Sequence, residues 1–273
     1  MQKTLKSFDG TKINYEILRK KSKLFLIFLH GAGGNLRAWK KERAYLHRKN
    51  ISTLAMDLRG HGFSGRPAKE SQYELPCFIK DLELIIEQEK INDFILVGHC
   101  FGGMITIKYA KMYPEKAKAY TLVDTTYRAP HILSDVFEKH PFIIKILNAR
   151  LEQVKINDNF KKDTDYDLFA GTGDLNPIRI YEDIKNTTFK SWFFIYENIA
   201  KFDGVEALES IVKPTLIVEG EEDKIFNTSV AKKLKNLVKA SKIDIIPKAN
   251  HVLVVNNPKE LEKIIYNFTK HFL

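Results

Sequence analysis

Cysteine is scarce in this chain: there are two in 273 residues, Cys77 and Cys100. Two thiols cannot build a disulfide framework. With 22 residues between them and no Cys or His partner nearby, they also miss the spacing of a zinc site. A reducing, cytoplasmic setting is the expectation. Long apolar runs are missing too: none approaches the roughly 18 residues of a membrane-spanning helix. The amino-terminal MQKTLKSFDG has no apolar segment behind its charges, so no signal peptide is expected. No His-Glu-x-x-His and no G-x-x-x-x-G-K-[ST] occurs, and Gly31-Ala32-Gly33-Gly34 does not complete G-x-G-x-x-G, so neither a metal nor a nucleotide cofactor is expected. Internal repeats are absent. With 14 Gly, 9 Pro, 44% hydrophobic and 29% charged residues, a collagenous, low-complexity or disordered chain is excluded and a globular one remains.

What is there in excess is positive charge, 44 Lys and Arg against 34 Asp and Glu, a net +10. A clustered basic surface would gain counterion-release energy on a nucleic acid. The lysines are instead spread over solvated helix faces, as in Lys232, Lys233, Lys235 and Lys239, and the tightest run, Arg19 to Lys23, falls in an expected loop. Residues 127–208 hold 11 basic and 13 acidic side chains, so the surplus belongs to the remainder of the chain. No nucleic-acid partner and no transmembrane segment are expected; the sequence leaves oligomeric state open.

Residues 3–8 and 11–18 alternate as strands, and Asp9-Gly10 between them signals a two-residue hairpin. Leu24 to Leu29 is a continuous apolar run, the mark of a strand buried on both faces. Similar runs recur at Ile51–Met56, Phe94–Val97, Ala119–Val123, Pro214–Val218 and Ile243–Ile246. Helical periodicity separates them at 36–49, 75–90, 102–112, 227–239 and 258–272. This alternation predicts an α/β fold: a doubly wound, mostly parallel sheet with an antiparallel N-terminal hairpin and ligand chemistry just beyond the C-terminal strand ends. From 127 to 208 the alternation breaks into helical patterns at 130–147, 178–186 and 188–200, rich in rings such as Trp192, Phe193 and Phe194. The expectation is an inserted helical cap over 127–208, with a core made of 1–126 and 209–273.

The strand ending at Val97 runs into Gly98-His99-Cys100-Phe101-Gly102-Gly103 and then a helix. Small residues around a central reactive side chain suit a sharp, strained strand-to-helix turn that presents a nucleophile. With this elbow, with His30-Gly31-Ala32-Gly33-Gly34 after the first buried strand, and with Asp57-Leu58-Arg59-Gly60-His61-Gly62-Phe63-Ser64 after the next, the chain resembles the α/β-hydrolase fold superfamily over nearly its whole length. Gly220-Glu221-Glu222-Asp223 and Asn250-His251 are similar to that family's acid and base positions, in the family's order of nucleophile, acid, His.

The resemblance implies Cys100 as nucleophile, His251 as base, Asp223 as the acid that orients it, and the backbone N–H groups of Ala32 and Phe101 as the oxyanion hole. The residue types suit those roles, since an imidazole that accepts a thiol proton yields the more nucleophilic thiolate. Asp124, after the strand that follows the elbow helix, is an alternative acid, and Glu219, Glu221 and Glu222 crowd the Asp223 loop. His30 and His99 are expected to support their neighbours, Asp57 and Arg59 to hold their loop, and Cys77 to pack.

Cysteine elbows occur in dienelactone hydrolases and polyhydroxyalkanoate synthases, though neither narrow group is matched by length and motifs together. Epoxide hydrolases and haloalkane dehalogenases need a carboxylate at the elbow. The expected function is hydrolysis of a small-molecule carboxylic ester or thioester with an apolar group, through an acyl-enzyme. Acyl transfer from the same acyl-Cys100 and a non-catalytic, ligand-binding role are the alternatives.

Overall fold

The apolar run Phe25–Leu29 (β3) lies at the centre of an eight-stranded sheet with every residue buried. The computed structural model describes residues 1–156 and 164–273, so part of the 127–208 segment lies outside the described residues. The other strands are β1 (Gln2–Lys6), β2 (Lys12–Leu18), β4 (Ser52–Met56), β5 (Phe94–His99), β6 (Ala119–Val123), β7 (Thr215–Gly220) and β8 (Ser241–Ile246). They are ordered β1-β2-β4-β3-β5-β6-β7-β8. The pairs β1–β2 and β2–β4 are antiparallel, and every other pair is parallel.

Strand periodicity divides the core in two. Phe25, Ile27 and Leu29 face one side with α2 (Leu75–Gln88) and α3 (Phe101–Met112), whereas Leu26 and Phe28 face the other with α1 (Lys40–Arg48) and α11 (Pro258–Thr269). Between β6 and β7 the described residues form α4 (His131–Lys139), α5 (Pro141–Gln153), α6 (Pro177–Thr187), α7 (Phe189–Ala200) and α8 (Val205–Glu209), with no strand of the sheet among them. The frame continues through α9 (Thr228–Leu237) and a short α10 (Leu253–Asn256).

Four expectations are corrected in detail. Asp9-Gly10 sits in a longer turn, because Lys6 pairs with Lys12; Ser7 N–H reaches Thr11 O at 2.8 Å and Asp9 Oδ1 accepts from Thr11 N–H at 3.0 Å. The pattern at 130–147 is two helices, since Pro141 has no N–H to continue α4 and instead opens α5. The segment 36–49 is a 3-10 turn over Leu36–Trp39 followed by α1. Finally, β8 is the sheet's last strand and exposes Lys242, Asp244 and Ile245 in whole or part, so it is not buried on both faces.

The helices between β6 and β7 are fastened to the frame by polar contacts. Arg66 donates to the carbonyls of Asn186 and Thr187 at the end of α6, and Tyr73 Oη and Ser191 Oγ lie 2.7 Å apart. Gly33 packs against the Asp183 side chain of α6, where a Cβ would lie 2.7 Å from Asp183 Cβ.

Candidate active site

Strand β5 ends at His99, and Cys100 turns the chain into α3 with φ 50° and ψ −113°. Such a conformation costs a non-glycine residue about 1–3 kcal/mol and persists only where its surroundings impose it. Here they do. Cys100 N–H donates to Val123 O at 3.0 Å, and Cys100 O accepts from Gly103 N–H at 2.9 Å and from Thr125 Oγ1 at 2.8 Å. The flanking glycines permit the turn sterically: a Cβ on Gly98 would lie 2.3 Å from Gly102 O, and one on Gly102 would lie 2.4 Å from Leu29 O.

The elbow faces the loop after β8. His251 Nδ1 lies 2.7 Å from Asp223 Oδ2, and the ring lines the same cavity as Cys100, near enough for the sulfur to favour its charged form. Asp223 Oδ1 accepts from the N–H groups of Ile225 at 2.6 Å and Phe226 at 2.8 Å, which fixes the carboxylate in its turn. Burial pulls the His251 imidazolium down. The Cys100 thiolate and the Asp223 carboxylate outweigh it and leave the imidazolium well above the ordinary histidine range. Cys100, His251 and Asp223 are thus brought together.

Asp124, the other acid considered, does not bond His251. Its Oδ1 accepts from Gly220 N–H at 2.9 Å, and its Oδ2 lies 4.0 Å from His99 Nε2.

The loop after β3 lies directly on the elbow: a Cβ on Gly31 would approach Cys100 Cβ to 3.1 Å. In this loop Gly33 N–H donates to His61 Nε2 at 3.1 Å and Gly34 N–H to Gly31 O at 3.1 Å. The N–H of Ala32 finds no acceptor among the described residues, and Phe101 N–H, opening α3, is one of the helix's unpaired first donors.

His30 donates from Nδ1 to Gly31 O at 2.8 Å and accepts Leu58 N–H on Nε2 at 3.0 Å; burial lowers its pKa to about 4. His99 donates from Nε2 to His251 O at 2.9 Å, and burial together with the nearby His251 charge lowers its pKa to about 3. Both rings are neutral and brace backbone. Asp57 accepts from Leu36 and Phe63 N–H, while Arg59 is paired with Asp81 and Asp9. Cys77 stands apart on α2.

Among the described residues, two groups of side chains place nitrogen or carboxyl oxygen atoms within 4.8 Å of one another, as a metal site would: His99, Asp124 and His251, and Asp124, Glu219 and Asp223. In the first, His99 Nε2 is committed to a carbonyl and His251 Nδ1 to Asp223.

A cavity of about 190 Å³ opens over Cys100, lined by Ala32, Met104, Ile180, Ile199, Phe226 and His251. Trp192 and Tyr196 of α7 also line it, with ring centroids 4.0 Å apart. Arg179 and Asp183 of α6 complete the wall in a 3.0 Å ion pair. Burial raises Asp183 to about 7 against the pull of Arg179. Sequence reasoning missed Arg179, Asp183 and Tyr196. The one available signal was the i, i+4 spacing of the charged pair.

A nucleophile elbow, a carboxylate and a histidine, in that chain order at the C-terminal edge of a doubly wound sheet, define the α/β-hydrolase class. Residues 25–258 match the family model described as "alpha/beta hydrolase fold", and the chain belongs to that family. It is 24% identical to epoxide hydrolase 3 of Xenopus tropicalis, over 96% of this chain and 76% of that one. Among solved structures it resembles a bromoperoxidase from Bacillus anthracis, with a TM-score of 0.77, 21% identity and coverage of 99% of this chain and 100% of that one. An esterase from Exiguobacterium antarcticum gives a TM-score of 0.74 at 18% identity, with coverage of 99% and 100%.

Proposed function

We propose that this protein is a hydrolase of carboxylic esters or thioesters that works through an acyl-Cys100 intermediate, with residues 127–208 as a cap over the site. The observation that carries this reading is the placement of His251 between Cys100 and Asp223. In the first half-reaction the Cys100 sulfur attacks the carbonyl carbon while the proton it gave to His251 waits on Nε2. The carbonyl oxygen becomes an oxyanion facing the N–H groups of Ala32 and Phe101, each such donor contributing roughly 2.7–4 kcal/mol in comparable sites. Collapse breaks the bond to the leaving alcohol or thiol, which takes the proton from His251. In the second half-reaction neutral His251 removes a proton from water, hydroxide adds to the thioester, and Cys100 leaves as thiolate. Asp223 stays ionised and stabilises the imidazolium that forms twice.

The apolar lining of Met104, Ile180, Ile199, Trp192 and Phe226 selects an acyl or aryl group without charge, and about 190 Å³ admits only a small one. A relative named as an epoxide hydrolase does not redirect this reading, because sulfur attack on an epoxide leaves a thioether that water does not cleave, whereas a thioester is cleaved readily. Intact-mass spectrometry after mixing with a panel of activated esters and thioesters tests it. An acyl adduct that disappears in Cys100→Ala is expected; undiminished turnover by Cys100→Ala would sink the mechanism. Adding an alcohol or thiol as a rival to water separates hydrolysis from acyl transfer.

A further inference from the structure

Behind the His251–Asp223 pair lies a third carboxyl group that the mechanism above does not use. Glu219, next to last in β7, is fully buried. Neither of its carboxyl oxygens receives a hydrogen bond among the described residues, and Asp124 Oδ2 beside it is equally without a donor. The carboxyl oxygens of Asp124, Glu219 and Asp223 lie within 4.8 Å of one another.

Three ionised carboxylates at that separation, out of water, would repel one another, and an ionised Glu219 would be a buried anion with no donor to accept from. A neutral Glu219 has an O–H to give. Asp223 has room for it: Oδ1 already accepts two backbone N–H groups and Oδ2 accepts His251, which leaves one of its four acceptor positions open.

We propose that Glu219 is a positioning residue held as a neutral carboxylic acid, whose O–H donates to the Asp223 carboxylate and braces the acid that orients His251. The titratable groups facing it are Asp124 from the end of β6, Asp223 from the loop after β7, and His251, with His99 beyond Asp124. Burial first, and the charges of Asp124 and Asp223 next, push the Glu219 carboxyl far above the usual carboxylate range, while His251 pulls weakly the other way. Asp124 is pushed up by the same burial. The inference rests on reading Asp223 and His251 as orienting acid and base, yet its test needs no substrate.

Infrared difference spectra of the folded wild-type protein at pH 8, against Glu219→Gln, should contain the carbonyl stretch of a protonated carboxyl that the variant lacks. Absence of that band overturns the proposal without any variant having to work. A second readout is the pH profile of Cys100 alkylation by iodoacetamide in a Cys77→Ala background. Glu219→Gln keeps a donor and changes no charge, so both limbs should stay within about 0.3 pH unit of the parent; removing a real anion a few ångströms from His251 would move a limb by about one unit or more, which overturns the proposal. Glu219→Leu should slow alkylation several-fold, with Gln restoring it. Equal rates in all three proteins reject the positioning role. Loss of esterase activity alone bears on the proposed function and leaves these readouts intact.

Discussion

His251 is pulled toward the neutral state by burial and toward the charged state by two partners, and the partners win. His251 therefore owes its charge to Cys100 first, and to Asp223 by more than their 2.7 Å hydrogen bond alone. Asp223→Asn, which would favour the wrong tautomer, is expected to lower kcat about 10⁴-fold with little change in KM, as steady-state kinetics on an activated ester would read. That Cys100, Asp223 and His251 each lie just beyond a strand was legible in the chain from the motifs around them. The sequence favoured Asp223 and kept Asp124 as an alternative, since both follow strands; which of them bonds His251 is decided by the fold of the Gly220–Phe226 loop, whose N–H groups point at Asp223. The wall formed by Arg179, Asp183 and Tyr196 stayed hidden for a related reason. Its residues become neighbours of Cys100 only when α6 and α7 lie back over the sheet.

At the scale of elements, the alternation of apolar runs with helical periods was enough to locate the strands and the elbow between β5 and α3, though not the order of the strands in the sheet. The strand β7 shows where that reasoning stops. An apolar run ends at Val218, but the strand continues through Glu219 and Gly220, fully buried. A charged residue is normally a signal of exposure, so a glutamate kept neutral inside a strand reads as a strand end. Pro141 misled in the opposite sense, dividing a pattern that looked continuous. Close packing of backbone on backbone also lies at this scale, where α3 crosses β3 at Gly102 with no room for a methyl group. Gly102→Ala is expected to destabilise the fold by about 3 kcal/mol, the upper end for overpacking, visible as a lowered denaturation midpoint, because the obstacle is backbone rather than a side chain that can swing away. Phe194→Ala, which removes a fully buried ring of α7, should cost about 3–5 kcal/mol in the same measurement.

Across the whole molecule, the contacts between frame and α6 put a titratable group at a joint. Asp183, raised to about 7 from 3.8, packs on Gly33 of the loop that holds Ala32. Between those two values the folded state binds more protons than the unfolded state, so this group's contribution to stability falls as pH rises from about 4 to 7. Asp183→Asn stays neutral throughout. It should therefore come closest to the parent near pH 4 and exceed it at pH 8, by about 1 kcal/mol or about 2 °C in Tm, as thermal melts at the two pH values would show. The chain carries only two tryptophans, and they lie in unlike places: Trp39 is sealed in the core, while Trp192 stacks on Tyr196 at the cavity wall. With Trp39 replaced by Phe, the remaining indole becomes a built-in optical probe, so that entry and departure of an acyl group could be followed as a change in the protein's own emission, one turnover at a time and without a coloured substrate.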